Sequence, residues 1–191
     1  MAAIDVQRVI DVAATLFAEH GYDGVAIRDI ASASGATSAS IFYHFSSKEA
    51  LYNEVTSHKY EDTHEKATRA IVQHSSPSDK VRALVETFYD IFLLDRSLFL
   101  LLQRDMIRGM GSSAPSIVRD QHIYFVSLFQ RLLTDALARP ADRREAFSLV
   151  SLLLGYCELT ALLSPKDPKE DAHYAEQKDF LLQMVERLFF R

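Results

Sequence analysis

Apolar residues along this chain recur every three or four positions, the interval that builds one greasy face on a helix. Val9, Val12, Ala13, Leu16 and Phe17 set this rhythm over residues 5–20, and Gly21 ends it. Shorter segments follow at 27–34 and 38–45. A long, more polar one then runs from Ser46 or Ser47 toward His74, with Leu51, Val55, His58, Asp62 and Glu65 along one side. Glu49 is placed to complete a capping box at its start. After the linker Ser75–Asp79, the residues Val81, Leu84, Val85, Phe88 and Phe92 mark a helix over 78–94, with Pro77 suited to its first turn. Further helices are expected over 96–108, 116–138, 141–163 and 171–190, separated by the Gly109–Pro115 loop, Pro140 and Pro165. The pattern predicts an all-α fold of about nine helices, without strands or internal repeats.

Within this pattern, residues 26–49 say most about function. Ile27, Ile30 and Ala31 repeat at helical spacing, and Ile41, Phe42 and Phe45 do so after Gly35, a residue tolerant of the positive φ that a tight turn needs. Two such segments meeting at a glycine are laid out as a helix-turn-helix, whose second helix enters a DNA major groove. Thr37 can cap that helix, and Ser38, Ala39 and Ser40 face outward near its start, while Ile41 and Phe45 face the helices behind. Ser and Thr hydroxyls can bond several bases, and an Ala or Thr methyl can touch a thymine methyl. No Arg or Asn stands on this helix to make a bidentate base contact, so sequence preference falls to arm residues, Arg28 or DNA shape.

The charge runs against nucleic-acid binding. The 191-residue chain carries a net charge of −5. Its first 50 residues hold Arg8, Arg28 and Lys48 against Asp5, Asp11, Glu19, Asp23, Asp29 and Glu49. Phosphate neutralisation supplies most non-specific affinity, so that affinity should be modest. Hydroxyls, backbone N–H groups and helix N-termini can still hold phosphates. A 48% hydrophobic composition suffices for a sizeable core. One cysteine, Cys157, excludes an internal disulfide and points to a reduced, cytoplasmic protein. No signal peptide is expected, and no unbroken apolar run reaches the roughly 18–20 residues of a membrane span.

The stretch from Arg8 to Val55 resembles the DNA-binding domain of the tetracycline-repressor (TetR) family. The resemblance rests on Ala13, Ala14, Leu16, Phe17, Gly21 and Tyr22, then Ile30, Ala31 and Gly35, then Tyr43, His44, Phe45, Ser47, Lys48, Glu49 and Leu51. It covers about a quarter of the chain; the rest resembles the family in size and helical pattern. It implies that Tyr43, His44 and Lys48 approach the phosphate backbone. Ala26 departs from the family's capping Thr or Ser, a loss of about 1 kcal/mol, and Ala39 stands where Gly or Pro is frequent. The implied division is residues 1–46 as DNA reader and 47–191 as effector-binding and dimerisation domain.

The resemblance also implies a small-molecule pocket among the fourth to eighth helices. Phe88, Phe92, Phe99, Met106, Met110, Phe125, Phe129 and Tyr156 supply aromatic and flexible apolar lining, and Gln103, Arg104, His122, Cys157 and Glu158 are polar groups embedded among them. Dimerisation is implied through the last two helices. Leu152, Tyr156, Leu159 and Leu163, with Leu181, Met184 and Leu188, offer more apolar surface than one core consumes, and Gly155 permits close helix approach. A dimer sets two reading helices about 34 Å apart, matching a palindromic operator.

No catalytic, metal or cofactor pattern can be assembled. His58 and His64 point to different sides of a helix, one cysteine cannot build a zinc site, and G-x-S-x-G, P-loop and dinucleotide fingerprints are missing. Cys157 reads as an inert buried thiol. The expectation is a regulator, most simply a repressor, binding double-stranded DNA, a small-molecule effector and a second copy of itself, with no membrane. Control by a protein partner, and an enzyme acting on a hydrophobic small molecule, are the alternatives.

Overall fold

The computed structural model describes residues 4–109, 117–163 and 173–190, with the backbone alone described at 96, 105, 106, 108, 109, 117 and 118. Among these residues the fold is all-α. The helices are α1 (Val6–His20), α2 (Ile27–Ser34), α3 (Ser38–His44), α4 (Lys48–Val72), α5 (Pro77–Leu94), α6 (Arg96–Gly109), α7 (Ile117–Leu137), α8 (Arg143–Leu163) and α9 (Tyr174–Phe189). The expected loop from Met110 to Pro115, the boundary at Pro165 and the start at Asp171 lie outside the described residues.

Local chemistry explains most boundaries. The Asp5 side chain accepts from the Arg8 N–H at 3.0 Å and caps α1. Gly35, at φ 74° and ψ 16°, closes α2 in the left-handed region. The start of α4 differs from expectation. Ser47 Oγ accepts from the Ala50 N–H at 3.0 Å, so Ser47 is the cap and Ala50 occupies the third helical position. Glu49 therefore stands one residue too early to complete a box.

The chain divides into two compact units, residues 1–62 with 96–119, and 63–95 with 120–191. The first unit's core is built by Val9, Ala13, Phe17, Ile30, Ile41, Phe45, Leu51, Tyr52 and Val55, joined by Leu101 from α6. Arg104 of α6 donates to the α1 C-terminus, Nε to Ala18 O at 2.9 Å and Nη2 to Glu19 O at 2.8 Å. Arg104 is thus a cap for orphan carbonyls, not the embedded pocket group that the sequence suggested.

The second unit packs α5 against α8 and α9. Asp90 on α5 accepts from the Tyr174 hydroxyl at 2.5 Å and from Lys178 Nζ at 3.1 Å, tying down α9. Along α4 the buried residues are Leu51, Tyr52, Val55, Thr56, Tyr60, Thr63 and Ala67, while Asp62 and Glu65 face solvent. The expected apolar side missed the Tyr and Thr positions. Thr56 can be buried because its hydroxyl donates to Tyr52 O at 2.9 Å.

By length and composition alone, α8 is apolar enough to cross a membrane, a property that a search for unbroken apolar runs overlooked. Its apolar residues split between two faces. Ala146, Leu149, Val150, Leu153 and Cys157 are buried within the protomer, whereas Phe147, Leu159, Leu162 and Leu163 are exposed.

Candidate nucleic-acid interface

The short helix α3 is held by two buried anchors, Ile41 and Phe45, which belong to the first unit's core. Its N-terminus is locked by a reciprocal cap. Thr37 Oγ1 accepts from the Ser40 N–H at 3.1 Å, and Ser40 Oγ accepts from the Thr37 N–H at 3.0 Å. The hydroxyl protons are committed too, with Ser40 Oγ donating to Thr37 O at 2.8 Å and Thr37 Oγ1 donating to Ser40 Oγ at 3.1 Å. Ser40 Oγ, which donates once and accepts twice, is thereby saturated, whereas Thr37 Oγ1 keeps one lone pair and can meet an outside group only as an acceptor. Ser40 is half-buried by this arrangement, as is Ser38, while Thr37 and Ala39 are exposed.

Past that tip, Tyr43 is 86% exposed and stands edge-on to the exposed His44 ring. Phe42 is 50% exposed. Sequence periodicity grouped Phe42 with the anchors, but a seven-residue helix has room for one buried stripe, and Ile41 takes it. Phe42 is thus a surface residue of the candidate interface that the sequence missed. Lys48 Nζ lies 4.3 Å above the Tyr22 ring, itself packed on Phe17 and Tyr52, so its ammonium is aimed from a fixed aromatic base. Arg28 is exposed, with Nε 3.6 Å from Asp29. Asp29 also accepts from the Ala26 N–H at 3.0 Å. That bond supplies one half of a capping box, and Ala26 cannot supply the other.

Of the expected effector residues, Phe88, Phe92, Phe125 and Phe129 come together in the second unit, with ring centroids 4.7 Å apart for Phe88 and Phe125. His122 and Tyr156 are half-buried and Cys157 is fully buried there. The Tyr156 hydroxyl donates to Gln177 O at 2.9 Å. Burial, with a smaller contribution from Asp90, pushes the Cys157 thiol up to about 12. Glu158 is exposed. Phe99 and Gln103 belong to the first unit, and the Met106 side chain and Met110 lie outside the described residues.

Three further polar groups in the second unit escaped the sequence. His64 Nε2, Gln121 Oε1 and Gln177 Oε1 are sealed from solvent without a hydrogen-bond partner, each at a cost of about 1–3 kcal/mol. Their signal is visible only in three dimensions, because nothing in the sequence marks a bond that is missing.

Of the expected dimer residues, Leu159, Leu163 and Leu188 are exposed, and Leu152, Tyr156 and Met184 are half-buried. Leu181 is corrected: at 0% exposure it is core of its own protomer, beside Leu182 and Val185. Phe147, Leu162 and Phe180 are exposed apolar residues on the same two helices that the sequence did not single out. Gly155 has open space where a Cβ would project, so no close helix approach occurs at it within the protomer.

Residues 9–55 match the family described as bacterial regulatory proteins, tetR family. The HTH-type transcriptional repressor KstR2 of Rhodococcus jostii (strain RHA1) is 33% identical over 125 residues, covering 65% of this chain and 61% of that repressor. The match thus spans less than two thirds of the relative's length. The structure of the ketosteroid transcriptional regulator KstR2 of Mycobacterium tuberculosis aligns over 99% of this chain and 97% of that one, with TM-score 0.76 and 17% identity. AibR in complex with isovaleryl coenzyme A and operator DNA aligns over 93% and 96%, with TM-score 0.73 and 17% identity. At those identities the two structures establish a shared fold.

Proposed function

We propose, from the match of residues 9–55 to the tetR family of bacterial regulatory proteins, that the chain is a homodimeric transcriptional repressor of that family which a small molecule releases from a palindromic operator. Residues 1–46 read DNA, and residues 47–191 bind the effector and form the dimer. The protein acts in the cytoplasm, without a cofactor and without catalysis.

The observation that carries this reading is the α3 tip. Arg28, Thr37, Ser38, Ala39, Ser40, Tyr43, His44 and Lys48 supply polar or small surface in front of a buried Ile41–Phe45 anchor. Because the Thr37 hydroxyl proton is already used and Ser40 Oγ is saturated, Thr37 alone of the pair serves a base edge, as an acceptor. That suits the amino groups of cytosine and adenine. Tyr43, His44 and Lys48 are disposed for phosphates, where they fix orientation.

The exposed apolar residues of α8 and α9 support dimerisation, since a water-facing row such as Phe147, Leu159, Leu162, Leu163 and Phe180 calls for a partner surface. The complex of AibR with isovaleryl coenzyme A and operator DNA supports a small-molecule effector here. The proposed link is α4, one helix whose residues 48–62 fall in one unit and 63–72 in the other. The effector must prefer the state with low DNA affinity, and by linkage DNA must weaken effector binding by the same factor.

The test is selection of bound fragments from genomic DNA, followed by footprinting and measurement of the mass of the complex. Two protomers on a palindrome are expected. Leu159→Glu with Leu163→Glu should yield a folded monomer that no longer binds the fragment. A monomeric wild type would refute the reading.

A further inference from the structure

His64, whose Nε2 is buried without a hydrogen-bond partner, borders an aromatic cluster of the second unit. The His64 ring lies 4.5 Å from Tyr124 and 5.2 Å from Phe125, centroid to centroid. Phe125 stands edge-on to Phe88, which neighbours Phe92 and Phe129. Gln121 precedes Tyr124 and Phe125 by three and four residues, so it lies on their side of α7, one turn earlier. Tyr124 is 40% exposed, and the cluster therefore reaches the surface. Native folds seldom leave a buried polar atom unbonded, and a site that receives a guest is one reason to do so. Here one such atom belongs to a ring packed in the cluster and another lies one turn earlier on the same side of α7, and the rings between suit a hydrocarbon.

We infer that His64 and Gln121 hold the head of a neutral, hydroxyl-bearing apolar effector whose hydrocarbon lies along these rings. The inference rests on the effector reading above and names the class of molecule. A carbonyl oxygen such as Gln121 Oε1 requires a donor, and the His64 nitrogen gives or accepts a proton according to its tautomer. One hydroxyl meets both demands, donating to the amide and accepting from the imidazole. A carboxylate brings no proton to Gln121. An ammonium brings a full charge beside two groups that carry no balancing one, at the cost of desolvation. Asp90, the carboxylate on α5 nearest in sequence to Phe88 and Phe92, is engaged by Tyr174 and Lys178.

Calorimetric titration of the full-length protein with 1-decanol, decanoate and decylamine separates these cases. The structure calls for 1-decanol to bind most tightly, and for His64→Phe and Gln121→Leu each to weaken it roughly tenfold. Because each variant removes an unsatisfied group, neither should melt below wild type, which distinguishes a lost contact from a damaged fold. Tighter binding of decanoate or decylamine, no binding of 1-decanol, or equal decanol affinity in wild type and both variants overturns the assignment. Operator binding, measured separately, would survive any of those results. Decanol that binds through His64 and Gln121 without changing operator affinity would instead overturn the regulatory reading while leaving the site in place.

Discussion

Tyr43→Phe isolates the proposed grip on DNA. The side chain is 86% exposed, and its ring meets the neighbouring His44 edge-on. Deleting one oxygen therefore removes nothing from the core, and the melting temperature should not move. If that hydroxyl donates to a phosphate, the lost bond is a charge-assisted one, about 1.5–3 kcal/mol. A dimer makes the contact twice, so the total is about 3–6 kcal/mol, or roughly 10²- to 10⁴-fold in operator affinity. Fluorescence anisotropy with the selected operator, across a salt series, measures this directly. The phenol is neutral, so the slope of log K against log salt should stay that of the wild type. Lys48→Ala should flatten it by about 2 for the two protomers. Operator affinity within twofold of wild type for Tyr43→Phe, or a lowered melting temperature, would refute the phosphate contact.

Arg104→Ala removes the cap on Ala18 O and Glu19 O and should lower stability by about 1–2 kcal/mol, read by chemical denaturation. Gly21→Ala should cost about 1–3 kcal/mol because Gly21 sits at φ 74° and ψ 168°. Its new Cβ would meet only the movable tip of Arg104, so the cost should persist in an Arg104→Ala background. Cys157, with its thiol pushed up to about 12 by burial, should resist a maleimide at pH 8 in the native protein and react once unfolded. Hydrogen bonds from Arg139 and Arg144 hold the Glu145 and Asp142 carboxyls down to about 2. Folded values below the unfolded ones mean that these pairs stabilise fully above the usual carboxylate range and lose that contribution as pH falls toward 2. Glu145→Gln should therefore flatten the acid limb of a stability–pH profile, and an unchanged limb would discard the pairing.

What the sequence disclosed was what short-range rules govern. Gly35, the Thr37 cap and the Ile41–Phe45 anchor follow from spacing and local bonds. The buried side of α4 was harder to see. Tyr52, Thr56, Tyr60 and Thr63 are polar by type yet buried, and Thr56 manages this by bonding its own helix. The partnership of Arg104 with α1 joins residues more than eighty positions apart, a tertiary choice that periodicity does not encode. Leu181 shows the same limit from the other side, because an apolar stripe looks alike whether a protomer's own core or a partner covers it. His64 and Gln121 were hidden for a further reason: their significance lies in bonds they fail to make.

A reading tip whose hydroxyls are already spoken for, set in a surface where acids outnumber bases, changes how such a protein would search a chromosome. Arbitrary duplex offers it little to hold, so few copies would be sequestered on decoy sites, and each encounter would be brief. A small cellular pool could then keep its operator filled. The same thrift makes arrival slow, because no long-range attraction draws the protein toward its target. Shut-off after the inducer disappears should therefore lag behind shut-off by a repressor with a basic reader kept at equal abundance.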